Sequence, residues 1–298
     1  MSAPILFALP GNEALAPCLA AALHAEIGDV EIRHFPDGES YVRLDSAAEG
    51  HPVIILATLA RPDAVTLPLL YTAMTAREEG AQSVGLIAPY LAYMRQDRRF
   101  KPGEAVTSRH FAKLISGAFD WLVTVDPHLH RYKSLDEIYS IPSAVTSAAP
   151  LMAAWIDNNV KNPVIIGPDA ESEQWAASVA ADAGHAPYTV LTKVRRGDRD
   201  VQVSVPDPQI LEGRTPVLVD DIISTAGTMA EAAHNLQTLG AAPPVCVATH
   251  GIFAGQAMNH LINAGVSRIV TTNSIAHKTN AIDISGLLTR AVYDVTSG

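Results

Sequence analysis

Short runs of β-branched and apolar residues recur along the chain and alternate with longer, alanine-rich stretches. The apolar runs lie at 5–9, 53–59, 84–90, 121–126, 164–169, 215–221, 245–250 and 268–273. Each is nearly continuous in apolar character instead of alternating, which marks strands buried on both faces. Strands of that kind separated by helical stretches build parallel sheets covered by helices on both sides. The expected fold class is therefore α/β, doubly wound, with mainly parallel sheets. Ligands of such sheets sit beyond the carboxyl ends of the strands. Polar residues collect at those ends: Asp126 and His128, Asp169, Asp220 and Asp221, His250, and Asn273.

With 298 residues the chain has room for two domains. The stretch 140–150, SIPSAVTSAAP, carries two prolines and several small polar residues, and a helix-like LMAAWIDNN follows it. The boundary is expected there, giving domains 1–146 and 147–298, with the last helix packing on the first domain. The halves share the strand–helix rhythm without a repeated sequence, so any duplication is structural only.

Composition narrows the function classes. Net charge is −10, which disfavours a nucleic-acid-binding surface. It leaves anionic substrates open, because helix N-termini and local cations bind phosphate inside acidic proteins. The two cysteines, Cys18 and Cys246, sit in apolar stretches without paired spacing and read as buried free thiols in a reducing compartment. No apolar run approaches the roughly 18 residues of a membrane helix. The alanine-rich start lacks a basic leader and is broken by Pro10, Glu13 and Pro17, so it reads as strand, turn and helix. A cytoplasmic protein without a membrane partner is expected.

The segment 217–229, VLVDDIISTAGTM, carries the strongest chemical signal. A buried strand ends in Asp220 and Asp221. A loop of Ser224, Thr225, Ala226, Gly227 and Thr228 follows, and a helix is expected from about Met229. Backbone N–H groups at a helix start, hydroxyls and a glycine make a phosphate cradle. Two carboxylates before it can hold vicinal hydroxyls or reach a metal through water. A sugar carrying a 5-phosphate fits that pair of features. The ordinary alternative is a capped strand-turn-helix connection with solvated acids, which the adjacent acids and the TAGT loop disfavour.

This segment resembles the phosphoribosyl-diphosphate loop of type I phosphoribosyltransferases and of phosphoribosyl pyrophosphate synthases. Other segments resemble the synthases specifically: HFPDGESYVRL at 34–44, APYLAYMRQDRRFKPGEAVTSRHFAKLIS at 88–116, VDPHLH at 125–130, VIIGPD at 164–169, THGIFAG at 249–255 and TNAIDISGLL at 279–288. The resemblance runs from end to end in the same order. It implies the ribose-phosphate diphosphokinase family and two domains of the type I phosphoribosyltransferase-like fold. The implied reaction moves the β,γ-diphosphoryl group of ATP to the C1 hydroxyl of ribose 5-phosphate, with Mg2+ as cofactor.

The resemblance also implies roles. Phe35, Asp37 and Glu39 contact adenine and ribose of ATP across a subunit interface, which makes a homo-oligomer expected. Arg95, Gln96, Asp97 and Arg98 contact ATP. His128 and Asp169 are metal-linked. His130 carries less weight, because its spacing lies beyond the strand end. Lys193 and Arg195, in LTKVRRGDRD, match the Lys-x-Arg pair that closes on the transferring phosphates, whereas Arg196 and Arg199 read as surface charges. Asp220, Asp221 and residues 224–228 hold ribose 5-phosphate. The text after Arg195 is similar to the shorter archaeal-type loop. Glu171 and Glu173 depart from the common bacterial pattern and bring negative charge near the expected diphosphate site.

Two competing readings differ in kind. A phosphoribosyltransferase would share the 220–228 loop but need no ATP site. A non-catalytic regulatory subunit would keep the fold and lose part of the catalytic set, all of which this chain retains.

Overall fold

The computed structural model describes residues 2–191, 193–195, 201–203 and 208–297, and for 193–195, 201–203 and 208 the backbone alone. The chain divides into two compact units. One holds Met1–Ser147, Ser274–Ala276 and Ile284–Gly298, and the other Ala148–Asn273 and His277–Asp283.

The first unit begins with β1 (Ile5–Ala8), α1 (Ala16–Leu23), β2 (Glu26–Gly28), β3 (Val30–His34), β4 (Ser40–Leu44) and β5 (Pro52–Leu56). It continues with α2 (Pro62–Glu78), β6 (Ser83–Ala88), α3 (Thr107–Ala118), β7 (Trp121–Val125) and β8 (Ser143–Thr146). The second unit contains α4 (Ala149–Asn159), β9 (Pro163–Gly167), α5 (Glu173–Asp182), β10 (Tyr188–Val190), β11 (Lys193–Arg195), β12 (Val201–Val203) and α6 (Pro208–Leu211). After these come β13 (Thr215–Ile223), α7 (Gly227–Thr238), β14 (Val245–Gly251), α8 (Ala257–Asn263), β15 (Arg268–Thr272) and β16 (Asn280–Ile282). The last helix, α9 (Ser285–Thr296), belongs to the first unit, where it packs on α1, β7 and β8.

Each unit is built on one parallel six-stranded sheet. The orders are β2-β1-β5-β6-β7-β8 and β10-β9-β13-β14-β15-β16. Counted within each sheet, both orders read 2-1-3-4-5-6, so the units repeat one topology without repeating a sequence. The order reverses beside β1 in one sheet and β9 in the other. In doubly wound sheets that reversal opens the ligand crevice. Each unit also carries an antiparallel hairpin at the same point of its topology, β3–β4 and β11–β12.

All eight apolar runs form sheet strands, for the reason that exposes them in the sequence: both faces are covered. In the second unit, Val164, Ile166, Leu218, Cys246 and Ala248 pack with Met229, Ala232, Ala233 and Leu236 of α7. Close packing in the first unit demands a glycine at 85. A Cβ there would lie 1.9 Å from the Trp121 indole, whose residue is paired with Gly85 across β6 and β7.

Two sequence expectations change. Cys18 is exposed, not buried, while Cys246 is fully enclosed. On α1 the inward positions are Ala16, Leu19, Ala20 and Leu23, and Cys18 falls between them on the outer face. The strand carrying the paired acids runs on to Ile223, and α7 starts at Gly227, two residues earlier than Met229. Among the described residues no helix is long and apolar enough to cross a membrane.

Candidate active site

In the second unit the paired acids stand at the carboxyl end of β13, and Asp169 follows β9, the neighbouring strand at the order reversal. Asp169 caps a short 3-10 turn: its Oδ1 accepts from the N–H groups of Glu171 (3.0 Å) and Ser172 (3.1 Å). The Asp169 N–H closes the box by donating to Ser172 Oγ at 3.1 Å, and Ser172 Oγ in turn donates to the Asp169 carbonyl at 2.6 Å. Those two N–H bonds occupy one carboxylate oxygen. Glu171 and Glu173 point to the exposed side, Glu173 as the first residue of α5.

Asp221 is buried and Asp220 half-buried, and the Asp221 N–H donates to Asp220 Oδ1 at 2.9 Å. The Asp220 carboxyl is pushed up to about 9, first by burial and then by the charge and hydrogen bond of Asp221, with Asp169 adding to the repulsion. Three acids at one strand edge are favourable only when something shares their charge: a proton, a cation or a set of hydroxyl donors.

The chain then turns through 224–228. Ala226 takes the left-handed conformation, φ 63° and ψ 11°, immediately before α7. That conformation is costly for any residue with a Cβ. Left-handed geometry next to a helix start makes a concavity of N–H groups suited to an anion. A cavity of about 740 Å³ lies elsewhere, lined by Lys161, Gly213, Arg214, Thr215 and Gly240. It faces the amino ends of β9 and β13, the edge opposite the acids, so room alone does not mark this site.

The hairpin β11–β12 pairs Lys193 with Val203 and Arg195 with Val201. Residues 193–195 thus form one strand of a two-stranded antiparallel hairpin. The side chains of Lys193 and Arg195, and all of Arg196 and Arg199, lie outside the described residues.

In the first unit, residues 35–39 close the β3–β4 hairpin. Phe35 N–H donates to the Glu39 carbonyl at 2.8 Å, and Glu39 N–H to Asp37 Oδ1 at 3.2 Å. Phe35 is 42% exposed, and Asp37 and Glu39 are exposed. The Arg33 guanidinium lies over both Tyr41 (3.9 Å) and Phe35 (5.0 Å). Sequence reasoning missed Arg33 and Tyr41. Their spacing to Phe35 follows the strand period of two and its cross-strand partner, so a hairpin assignment would have found them.

The 95–98 segment is a loop after β6. Arg95 and Arg98 are exposed, Gln96 is half-buried, and the Arg98 guanidinium lies 4.8 Å from the Phe100 ring. Asp97 differs from its neighbours: its side chain is only 2% exposed, and Arg131 Nη1 donates to both carboxylate oxygens at 2.8 and 2.9 Å. Tyr132 Oη adds a bond to the Asp97 carbonyl at 3.1 Å.

Beyond β7, Asp126 is buried at φ 40°. The strand ends at Val125, so alternation does not govern the next residues. The turn nevertheless brings His128 and His130 together, ring centroids 3.8 Å apart and His130 Nε2 3.2 Å from His128 Nδ1.

Comparison with known proteins places the chain. Residues 4–118 match the N-terminal domain of ribose phosphate pyrophosphokinase, and residues 134–285 match the phosphoribosyl transferase domain. A ribose-phosphate pyrophosphokinase of Methanopyrus kandleri is 35% identical over 280 residues, 93% of this chain and 94% of its own. One from Methanothermobacter thermautotrophicus is 34% identical over 284 residues, 95% of this chain and 98% of its own. The crystal structure of phosphoribosylpyrophosphate synthetase from Mycobacterium smegmatis shares the fold, with a TM-score of 0.87 at 24% identity across 100% of both chains. With both halves matched and such identity over nearly its full length, the chain belongs to the ribose-phosphate pyrophosphokinase family.

Proposed function

We propose that this chain makes phosphoribosyl pyrophosphate from ATP and ribose 5-phosphate and releases AMP. The C1 hydroxyl oxygen of the sugar attacks the β-phosphorus of ATP. The bond from that phosphorus to the α,β-bridging oxygen breaks, AMP leaves with the electron pair, and the hydroxyl proton is released. The observation that carries this reading is the second unit's site: paired acids near the carboxyl end of β13, a left-handed turn suited to an anion beginning three residues beyond Asp221, and Asp169 just past the adjacent strand. A phosphorylated sugar with free hydroxyls matches both halves of it.

Asp220 and Asp221 accept hydrogen bonds from the ribose hydroxyls, which relieves the mutual repulsion of the pair. Ser224, Thr225, Ala226, Gly227 and Thr228 hold the 5-phosphate through N–H groups and hydroxyls. Phe35 stacks on the adenine, while Asp37 and Glu39 take its polar edge and ribose. Arg95, Gln96 and Arg98 meet the ATP side, and Asp97 keeps their loop in place through Arg131. Lys193 and Arg195 neutralise charge on the transferring group. The homo-oligomer completes the ATP site by supplying the 35–39 hairpin from a neighbouring subunit, and the enzyme works in the cytoplasm.

The donor set also suits a divalent cation. In the first unit the imidazoles of His128 and His130 offer two nitrogens 3.2 Å apart, and in the second Asp169 keeps one oxygen beyond its capping bonds. His128 of the first unit and Asp169 of the second would be the donors for Mg2+, and the ion would supply positive charge against the phosphates.

The test uses ribose 5-phosphate bearing heavy-isotope oxygen at C1. Phosphorus NMR of the product should show the label bridging C1 and the β-phosphorus. Loss of the label from the product would mean attack at carbon and would end this reading.

A further inference from the structure

The anion loop is bonded from one side by the segment that follows β14. Ile252 and Phe253 both donate their N–H to the Ile223 carbonyl at 3.0 Å, and Ala254 N–H donates to the Ser224 carbonyl at 3.0 Å. On α8, His260 Nδ1 lies 3.3 Å from the Thr225 carbonyl. A carbonyl only accepts, so Nδ1 is the protonated nitrogen of that contact. Three successive carbonyls, 223, 224 and 225, are thus tied to residues 252–260.

No peptide bond in the described chain is cis. In a trans peptide the C=O of one residue and the N–H of the next point in opposite directions. Tying back the carbonyls of 223, 224 and 225 therefore turns the N–H groups of Ser224, Thr225 and Ala226 away from the 252–260 segment. These N–H groups lead directly into the left-handed turn at Ala226. The clasp is itself held in a demanding shape. Phe253 has φ 47°, its ring lies 4.4 Å from that of His277, and Gly251 has no room for a Cβ against that same ring.

We infer that the 252–260 segment is a carbonyl clasp that preorganises the phosphate-binding N–H groups, with His260 as its side-chain member and a positioning residue for the sugar phosphate. The inference rests on the reading of residues 224–228 as the 5-phosphate site. His260 acts through Thr225 and touches no substrate. It holds the last peptide before Ala226, where a flip would replace a donor by a carbonyl facing the phosphate. Because His260 sits on the exposed side of α8, its loss leaves the core untouched.

The experiment compares wild type, His260→Ala and His260→Asn as full-length proteins. Asparagine places an amide donor near the position of Nδ1, whereas alanine has none. Affinity for ribose 5-phosphate is read by calorimetry, KM for both substrates by kinetics, and the fold by melting temperature. Alanine should weaken ribose 5-phosphate about fivefold, the weight of one such hydrogen bond. The KM for ATP and the melting temperature should stay unchanged, and asparagine should recover most of the loss. Wild-type turnover combined with unaltered ribose 5-phosphate affinity in His260→Ala overturns the clasp alone. Asparagine as weak as alanine also overturns it. A wild type that lacks turnover while keeping the affinity ranking overturns the reaction and leaves the clasp standing.

Discussion

Replacing Asp220 by asparagine separates what the acid pair does to the fold from what it does for a substrate. The Asp220 carboxyl lies at about 9 instead of the ordinary 3.8, because of burial first and the charge of Asp221 next. A carboxyl raised in the folded chain opposes folding once it must ionise. Stability is fully present below the unfolded value and declines as pH rises from about 4 toward about 9. Each pH unit in that window weighs roughly 1.4 kcal/mol, so the upper bound near neutrality is about 4 kcal/mol. Asp220 keeps part of its surface in water, which screens the repulsion and leaves on the order of 1–3 kcal/mol. Asparagine preserves the shape and the Oδ1 acceptor that serves the Asp221 N–H. Denaturant unfolding of the ligand-free protein at about pH 8 should show Asp220→Asn more stable by that amount, with an unchanged slope. The gain should shrink as the buffer is taken to about pH 5. Turnover at low ribose 5-phosphate should drop by about tenfold, because the amide keeps one acceptor oxygen, already taken by the Asp221 N–H, where the carboxyl has two. A variant less stable than wild type at about pH 8, or a gain that grows on acidification, would refute the argument.

Three further substitutions probe separate parts of the account. Lys193→Ala should lower kcat by on the order of a hundredfold or more while leaving the melting temperature unchanged; near-normal turnover would remove Lys193 from the mechanism. Ala226→Gly should stabilise the chain by about 0.5–1 kcal/mol, because glycine adopts φ 63° without the Cβ penalty; denaturant midpoints decide, and a lower midpoint would contradict the strain. Arg131→Ala strands the enclosed Asp97 carboxylate and should cost about 1–3 kcal/mol by thermal unfolding. Equal unfolding of variant and wild type would show that the pair is not holding the 95–98 loop.

The central strands were legible because a strand covered on both faces must be continuously apolar, and all eight such runs are in the sheets. The edge strands β2, β8, β10 and β16 were not, since three or four partly exposed residues leave no apolar run. The loop at 224–228 was readable from local chemistry, a strand, two acids and a small-residue turn. Its left-handed residue, however, is an alanine where a glycine would have announced the conformation. The His128–His130 contact escaped a period-two argument because the strand stops at Val125 and the turn sets the two rings together. Asp97 carries a charge, which suggests exposure, and only the fold reveals Arg131 enclosing it. The bonding of the 252–260 clasp was not readable from the sequence, although 249–255 stood out as a motif, because most of its donors are backbone N–H groups whose partners lie about 30 residues away.

The reaction proposed for this chain joins ribose 5-phosphate to the diphosphoryl group of ATP. The most direct measurement follows AMP and phosphoribosyl pyrophosphate together from purified protein supplied with ATP, Mg2+ and ribose 5-phosphate. Equal amounts of both products, each absent when sugar or metal is omitted, is the predicted result. Folded protein that binds ATP and yields neither product, or yields AMP without the sugar diphosphate, would contradict it.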